Sequence, residues 1–236
     1  MPVLPGSIRF MLSTAPDPAS RSPIGLMTTP EKDRYFDATT DRPVRDDLRF
    51  AVSLATGDRV AIDCGCGAGS DIAYLRSEDF VVHAFDVEAD AIRRCTERFA
   101  DDARVHLQRA SFTGFDYPAA SLIVADASLF YCPPQDSDDV WRRITDALVP
   151  GGVFAGSFLG PGDTMAGPDF DRDAFWPEVL VMTEDELRPR FGDFNILRWN
   201  EHRQSGETAD GTPHDWHIYA VVAQKKGQGV STSGRS

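Results

Sequence analysis

The chain is short of the features that mark several large classes of protein. It has four cysteines, Cys64, Cys66, Cys95 and Cys132, and none stands in a Cys-x-x-Cys pair. A disulfide framework or a structural zinc site is therefore not expected. No apolar run approaches the ~20 residues needed to span a bilayer, which argues against a membrane protein. The opening segment MPVLPGSIRFMLSTAP lacks a long apolar core, so no secretory signal is read there and a cytoplasmic setting is expected. Basic residues are scarce: 24 Lys and Arg stand against 37 Asp and Glu, a formal charge of −13. The only adjacent lysines are Lys225 and Lys226. A phosphate backbone needs a basic face, so nucleic acid is not an expected partner.

What is present is an ordinary globular composition. With 42% hydrophobic and 10% aromatic residues in 236, the chain can bury a sizeable core in one domain. Residues 1–30, rich in Pro, Ser and Thr, read as a flexible leader. Residues 227–236 read as a disordered tail, and residues 31–226 as the domain. Met11 and Met27 lie inside the leader, so the sequence does not choose among Met1, Met11 and Met27 as the translation start.

Within the domain, apolar periodicity alternates between strand and helix. Val44, Leu48, Ala51, Val52 and Ala55 share one helical face. Strands are expected at Val60–Ala61–Ile62, Phe80 to Phe85, Val105 to Leu107, Leu122 to Ala125 and Val153 to Phe158. Helices are expected at Ser70 to Ser77, around Ile92, Cys95 and Phe99, and after Asp136 as N-cap, with Pro150–Gly151–Gly152 ending that last helix and opening the fifth strand. Thr183 with Glu186 is a capping-box signature. Two last strands, Phe194 to Trp199 and Trp216 to Ala223, follow without a helix between them and should be antiparallel. The fold class is α/β: a mostly parallel, doubly wound, Rossmann-like sheet with a C-terminal antiparallel pair.

The chemistry is concentrated at Asp63–Cys64–Gly65–Cys66–Gly67–Ala68–Gly69, where a buried strand meets a tight turn and then a helix. Alternate glycines permit unusual φ values and let a ligand lie against the backbone. Seventeen residues later the second strand ends at Asp86, whose carboxylate can accept from a ribose diol. The dinucleotide fingerprint is G-x-G-x-x-G, with pyrophosphate on the helix N-terminus. Here the spacing differs, and Asp63 and Asp71 would repel a pyrophosphate while suiting an ammonium and a sulfonium. A nucleotide-dependent oxidoreductase is the disfavoured rival.

Residues 63–69 resemble the first motif of class I S-adenosylmethionine-dependent methyltransferases. Asp86 resembles the acid ending their second strand, and Pro150–Gly151–Gly152 the turn before their fifth. Tyr35–Phe36 before the core looks most like the small-molecule type, including tellurite-resistance-like enzymes. The resemblance implies S-adenosyl-L-methionine as cofactor, a small-molecule methyl acceptor and in-line displacement. It implies that Gly65, Cys66 and Gly67 line the methionyl part, that Gly69 also belongs to the cofactor site, that Asp63 faces the ammonium, and that Asp86 and Val87 hold ribose and adenine. Ser111, with Phe112, stands where many relatives carry an adenine-binding acid; Ala125 and Asp126 would offer carbonyls; Tyr35 and Arg42 would belong to a closing arm. Acceptor-side candidates are Tyr131, in an aromatic loop from Leu129 to Pro134, together with Arg203, His214 and His217. His214-x-x-His217 has metal-like spacing, but a strand sends side chains three apart to opposite faces, and no metal is expected. The acceptor, the use of a general base and the oligomeric state stay open, as does a non-catalytic adenosyl-binding role.

Overall fold

A computed structural model describes residues 29–170, 178–207 and 212–227. The leader and tail therefore lie almost wholly outside the described residues. The first described element is helix α1, Thr29–Thr40.

The elements follow as α2 (Asp46–Leu54), β1 (Val60–Cys64), α3 (Ser70–Ser77), β2 (Val81–Asp86), α4 (Ala89–Arg98), β3 (Val105–Arg109), β4 (Ala120–Ala125), α5 (Ser137–Ala147), β5 (Leu148–Leu159), α6 (Glu184–Leu187), β6 (Phe194–Glu207) and β7 (Pro213–Lys225). The seven strands form one sheet in the order β3-β2-β1-β4-β5-β7-β6. β3, β2, β1, β4 and β5 are parallel neighbours, and β7 is antiparallel to both β5 and β6. The expected doubly wound sheet with a terminal antiparallel pair is what the chain builds. Its strand order reverses beside β1, and in such sheets the crevice beyond the carboxyl ends of the strands is where ligands bind.

Burial explains the layering. Every residue of β4 is buried, as a central strand covered on both faces requires. One face packs Leu48, Ala51 and Val52 of α2, Ile72 and Leu75 of α3 and Cys95 of α4 against Val82, Ala84, Val124 and Ala155. The other packs Val140, Trp141 and Ile144 of α5 among Phe154, Phe158, Phe191 and Phe194. The Trp141 ring meets those of Phe154 and Phe191 edge-on at 5.1 and 5.0 Å, and its indole N–H donates to the Arg190 carbonyl at 3.0 Å. Each such side chain removed from water contributes about 1.5–3 kcal/mol.

Three local expectations are revised. Asp136 occupies the N-cap of α5 but its side chain makes no capping bond, because a 3-10 turn at Pro134–Asp136 leads into the helix. Pro150–Gly151–Gly152 does not end α5, which stops at Ala147, and lies within β5, with Gly151 at φ 80°. The last two strands run much further than their apolar cores: their pairing extends to Glu207↔Pro213 and carries polar residues out on a hairpin. Alternation was visible only where one face is buried, so the exposed extension left no pattern. The Thr183–Glu186 capping box is present, with the Thr183 hydroxyl accepting from the Glu186 N–H and the Glu186 carboxylate accepting from the Thr183 N–H.

Candidate functional site

The turn from β1 into α3 is shaped by left-handed backbone. Gly65, Gly67 and Gly69 have φ of 75°, 51° and 79°. At Gly65 a Cβ would come 2.6 Å from the Ser128 Cβ, so packing as well as φ excludes a side chain there. At Gly67 a Cβ would meet nothing within 4 Å. The backbone there faces open space, as close approach of a ligand demands. Gly69 packs against Cys95 and Phe99. The turn is anchored by the Gly65 and Cys66 N–H groups, which both donate to the Phe85 carbonyl at 2.9 and 3.0 Å.

Two carboxylates flank this turn with different surroundings. Asp86 ends β2, 9% exposed; its Oδ2 accepts from the Gly67 N–H at 2.9 Å and its Oδ1 from the Glu88 N–H at 2.8 Å. Burial pushes its pKa up, and those backbone bonds oppose the shift. The Val87 N–H also favours the ionised form, and of the roughly four lone-pair sites of the carboxylate one is left for a further donor. Asp63, 3% exposed, has an Oδ2 with no hydrogen-bond partner. Its pKa is raised well above the ordinary carboxylate value, by burial first and by Asp71 next. An unpaired buried carboxylate oxygen is costly, so its persistence beside an open backbone cleft fits a cationic ligand group.

Asp71 departs from the expectation of a free cation-seeking carboxylate. It is bound by Arg45 Nη2 at 2.7 Å and by Arg42 Nη2 at 3.4 Å. Arg42 also donates through Nε to the Ser70 hydroxyl at 3.0 Å. Arg45 was not singled out in the sequence, where it reads as one more polar residue at a helix start. Only the fold brings it across to Asp71, and through its other terminal nitrogen to Asp126, just beyond β4. Ser128 and Ser157 were missed for the same reason. The Ser128 hydroxyl donates to the Cys64 carbonyl at 2.6 Å, and the Ser157 hydroxyl accepts from the Ala127 N–H at 2.8 Å. These bonds fasten the segment after β4, with Ala127 at φ 50°, to β1 and β5.

The remaining expected cofactor residues divide. Tyr35, on α1, is 41% exposed, and its hydroxyl lies in the field of the cleft: burial raises its pKa, Arg42 opposes this and Asp86 adds to it. The Val87 carbonyl accepts from Arg109 Nε at 3.1 Å. Ser111 is committed to a local turn, with its hydroxyl 3.1 Å from that of Thr113 and accepting from the Gly114 N–H at 3.1 Å. Phe112 packs edge-on against Phe85 at 5.4 Å. Cys66 is buried beside Cys95, and the hydrogen bond between the thiols, then burial, raises its pKa well above the ordinary value.

The acceptor-side candidates are not assembled as loop ends. His214, His217 and Arg203 lie inside the long hairpin strands, with Arg203 directly opposite His217. His217, 1% exposed, accepts at Nδ1 from the Gly162 N–H at 2.9 Å and meets Glu201 Oε1 through Nε2 at 2.9 Å. His214 Nε2 is 3.1 Å from Asp163 Oδ1, and the His217 N–H donates to Asp163 Oδ2 at 3.0 Å. Arg203 is bound to Glu201 at 2.8 Å. Tyr131 is packed at 4.6 Å against Phe130, and burial raises its pKa. Burial likewise pushes the Cys132 thiol up to about 12, which leaves no thiolate nucleophile there. Among the described residues no group of three or more His, Cys, Asp and Glu is arranged to hold a metal.

Residues 61–152, from β1 to the glycines of β5, match the family described as methyltransferase domain. Residues 61–152 therefore carry a methyltransferase domain, and the sheet order and glycine turn fit it. Curated relatives include a carboxy-S-adenosyl-L-methionine synthase of Shewanella frigidimarina, 31% identical over 112 residues, covering 44% of this chain and 46% of that protein. A trans-aconitate 2-methyltransferase of Sinorhizobium fredii is 27% identical over 121 residues, covering 51% of this chain and 45% of its own. The chain thus spans about half the length of the curated relatives it matches. Among solved structures, TehB of Haemophilus influenzae superposes with a TM-score of 0.65 at 16% identity over 83% of this chain and 67% of its own, a likeness of fold. Among the described residues no helix is long and apolar enough to cross a membrane.

Proposed function

We propose that the cleft formed by the glycine turn, Asp63 and Asp86 binds S-adenosyl-L-methionine, and that the chain transfers its methyl group to a small-molecule acceptor. The observation that carries this is the orphaned Oδ2 of Asp63, buried at the end of the strand that leads into the glycine turn. When bound, the cofactor supplies an electrophilic methyl carbon on a positively charged sulfur. Asp63 would then face the ammonium, and the ion pair would supply the partner that its carboxylate lacks. Asp86 would accept from the ribose diol with its remaining lone pair, while its bonds to Gly67 and Glu88 hold it in place. Tyr35 and Arg42 would close over the cofactor from α1 and the segment after it, and Val87 and Phe112 would border the adenine.

The role of Ser111 is reduced in this reading. Its hydroxyl is engaged by Thr113 and Gly114, so recognition of the adenine amine would fall to backbone or to Glu88, which is 8% exposed beside Asp86. Alignment of acceptor and methyl can supply about 7–11 kcal/mol of the barrier, so the chain need not offer a nucleophile. A carboxylated sulfonium, as named in the Shewanella relative, would call for an uncommitted cation at the cleft. Arg42 and Arg45 are both tied to Asp71, which favours the simple methyl donor.

Thermal-shift titration tests the cofactor. S-adenosylmethionine and S-adenosylhomocysteine at 100 times Kd should stabilise the protein by about 2.7 kcal/mol, and a nicotinamide dinucleotide should not. Asp86→Ala should weaken binding by roughly 1.5–3 kcal/mol in calorimetry. Binding without turnover to S-adenosylhomocysteine, over a broad acceptor panel, would favour a non-catalytic adenosyl-binding protein instead.

A further inference from the structure

A groove of about 480 Å³ lies between the N-terminal half of α2 and the face of the sheet formed by β4, β5, β7 and β6. That volume is in the range of small-molecule sites. Its inner end is Asp126, joined through Arg45 to Asp71 in the first turn of α3, so the groove and the cofactor cleft share that arginine as a wall. Its floor is pleated sheet carrying the apolar residues Val124, Ala155, Ile218 and Ala220, a surface that can face the plane of a ring.

The charges around the groove are already matched. Arg45 is held by Asp71 and Asp126. Arg198 donates to Asp47 at 3.0 Å, and its guanidinium lies 3.9 Å from the centre of the Phe50 ring. Among the described residues lining the groove no arginine is left unpaired, and Asp46 at the rim adds negative charge. A carboxylate entering here would lose its water without gaining a partner. Hydrogen-bonding capacity does remain. Asn200 and His202 line the groove without a side-chain hydrogen bond to any described residue, and the Ser157 hydroxyl, which accepts from the Ala127 N–H, still has its own proton to donate.

We propose that this groove is the methyl-acceptor site and that it takes a flat, uncharged, hydrogen-bonding ring compound, a phenol or neutral heteroaromatic, while disfavouring carboxylates. The proposal rests on the methyltransferase reading above for what the ligand undergoes, and on the groove alone for what binds.

The probes are 2-naphthol and its carboxylate counterpart 2-naphthoate, titrated at neutral pH into the full chain with and without saturating S-adenosylhomocysteine. Naphthol should bind at least tenfold more tightly than naphthoate. Ala220→Phe, which fills the floor, should weaken naphthol at least tenfold while S-adenosylhomocysteine binding persists and reports an intact fold. Asp47→Asn, which releases Arg198, should narrow the preference for naphthol over naphthoate severalfold, and it serves if the first variant does not fold. Naphthoate binding as tightly as naphthol overturns the proposal, as does absence of naphthol binding. So does an unchanged naphthol affinity in Ala220→Phe, or an unchanged preference in Asp47→Asn. Failure of S-adenosylhomocysteine to bind while naphthol still does would count against the cofactor reading and leave the groove in place.

Discussion

Asp63 and Asp163 are equally buried, each 3% exposed, yet they stand in opposite situations. Asp163, in the segment after β5, accepts from the Met165 N–H at 3.0 Å and the His217 N–H at 3.0 Å, and its Oδ1 lies 3.1 Å from His214 Nε2. It fastens the hairpin of β6 and β7 to the top of β5. Asp63, at the end of β1, has an oxygen without a partner. The first region is complete as it stands; the second is complete only with something added. Burial and residue type do not separate a structural carboxylate from a binding one, whereas the satisfaction of its oxygens does.

This contrast can be broken experimentally, beginning where the effect should be largest. Asp163→Ala should cost about 3–5 kcal/mol in urea denaturation, since two buried backbone donors and His214 lose their acceptor together. A loss under 1 kcal/mol would mean that Asp163 is not the fastening described. Asp63→Asn should behave in the opposite way. Without ligand its stability should equal or exceed that of the wild type, while calorimetry with S-adenosylhomocysteine should show binding weaker by roughly 1.5–3 kcal/mol. A destabilised protein with undiminished affinity would reverse the roles of the two aspartates.

A pH series sharpens the same point. The Asp63 carboxyl binds its proton more tightly in the folded chain, chiefly through burial. The contribution favouring the folded state is therefore fully present below the ordinary carboxylate pKa and is lost as pH rises from that value toward the raised one. Melting temperature of the free protein should fall over that interval more for wild type than for Asp63→Asn, and saturating S-adenosylhomocysteine should flatten the difference. The smallest effect belongs to the outer surface. Arg142 is 63% exposed and pairs with Asp139 and Asp146 along α5; Arg142→Ala should change stability by no more than about 0.5 kcal/mol. A larger change would show that exposed pairs matter here as much as buried ones.

Much of the fold was legible because the domain's local signals agree. The helix at Ser70–Ser77 is found at the expected residues, and the glycine turn, Asp86 and the antiparallel final pair fall where pattern and spacing put them. Less was legible where exposure erased the pattern, as in the outer halves of β6 and β7, or where a turn residue is absorbed into a strand, as at Pro150–Gly151–Gly152. The histidines show the limit for the candidate site. The sequence put His217 at the start of the last strand and His214 just before it, at the edge of a polar loop, but the hairpin holds both well inside paired strands, each committed to a neighbouring carboxylate.

The amino-acid order by itself determined the alternation of strands and helices, the left-handed glycine turn and the two acids beside it, since these depend on steric rules and periodicities that act over a few residues. Only the tertiary structure decided which acid keeps an oxygen without a hydrogen bond, because Arg42 and Arg45 bond Asp71 from 29 and 26 residues away and act on Asp63 only through their charge. It also decided that a groove with matched charges opens beside the cleft, a property of surfaces drawn together from α2, β4, β5, β6 and β7 that no single stretch of the chain contains.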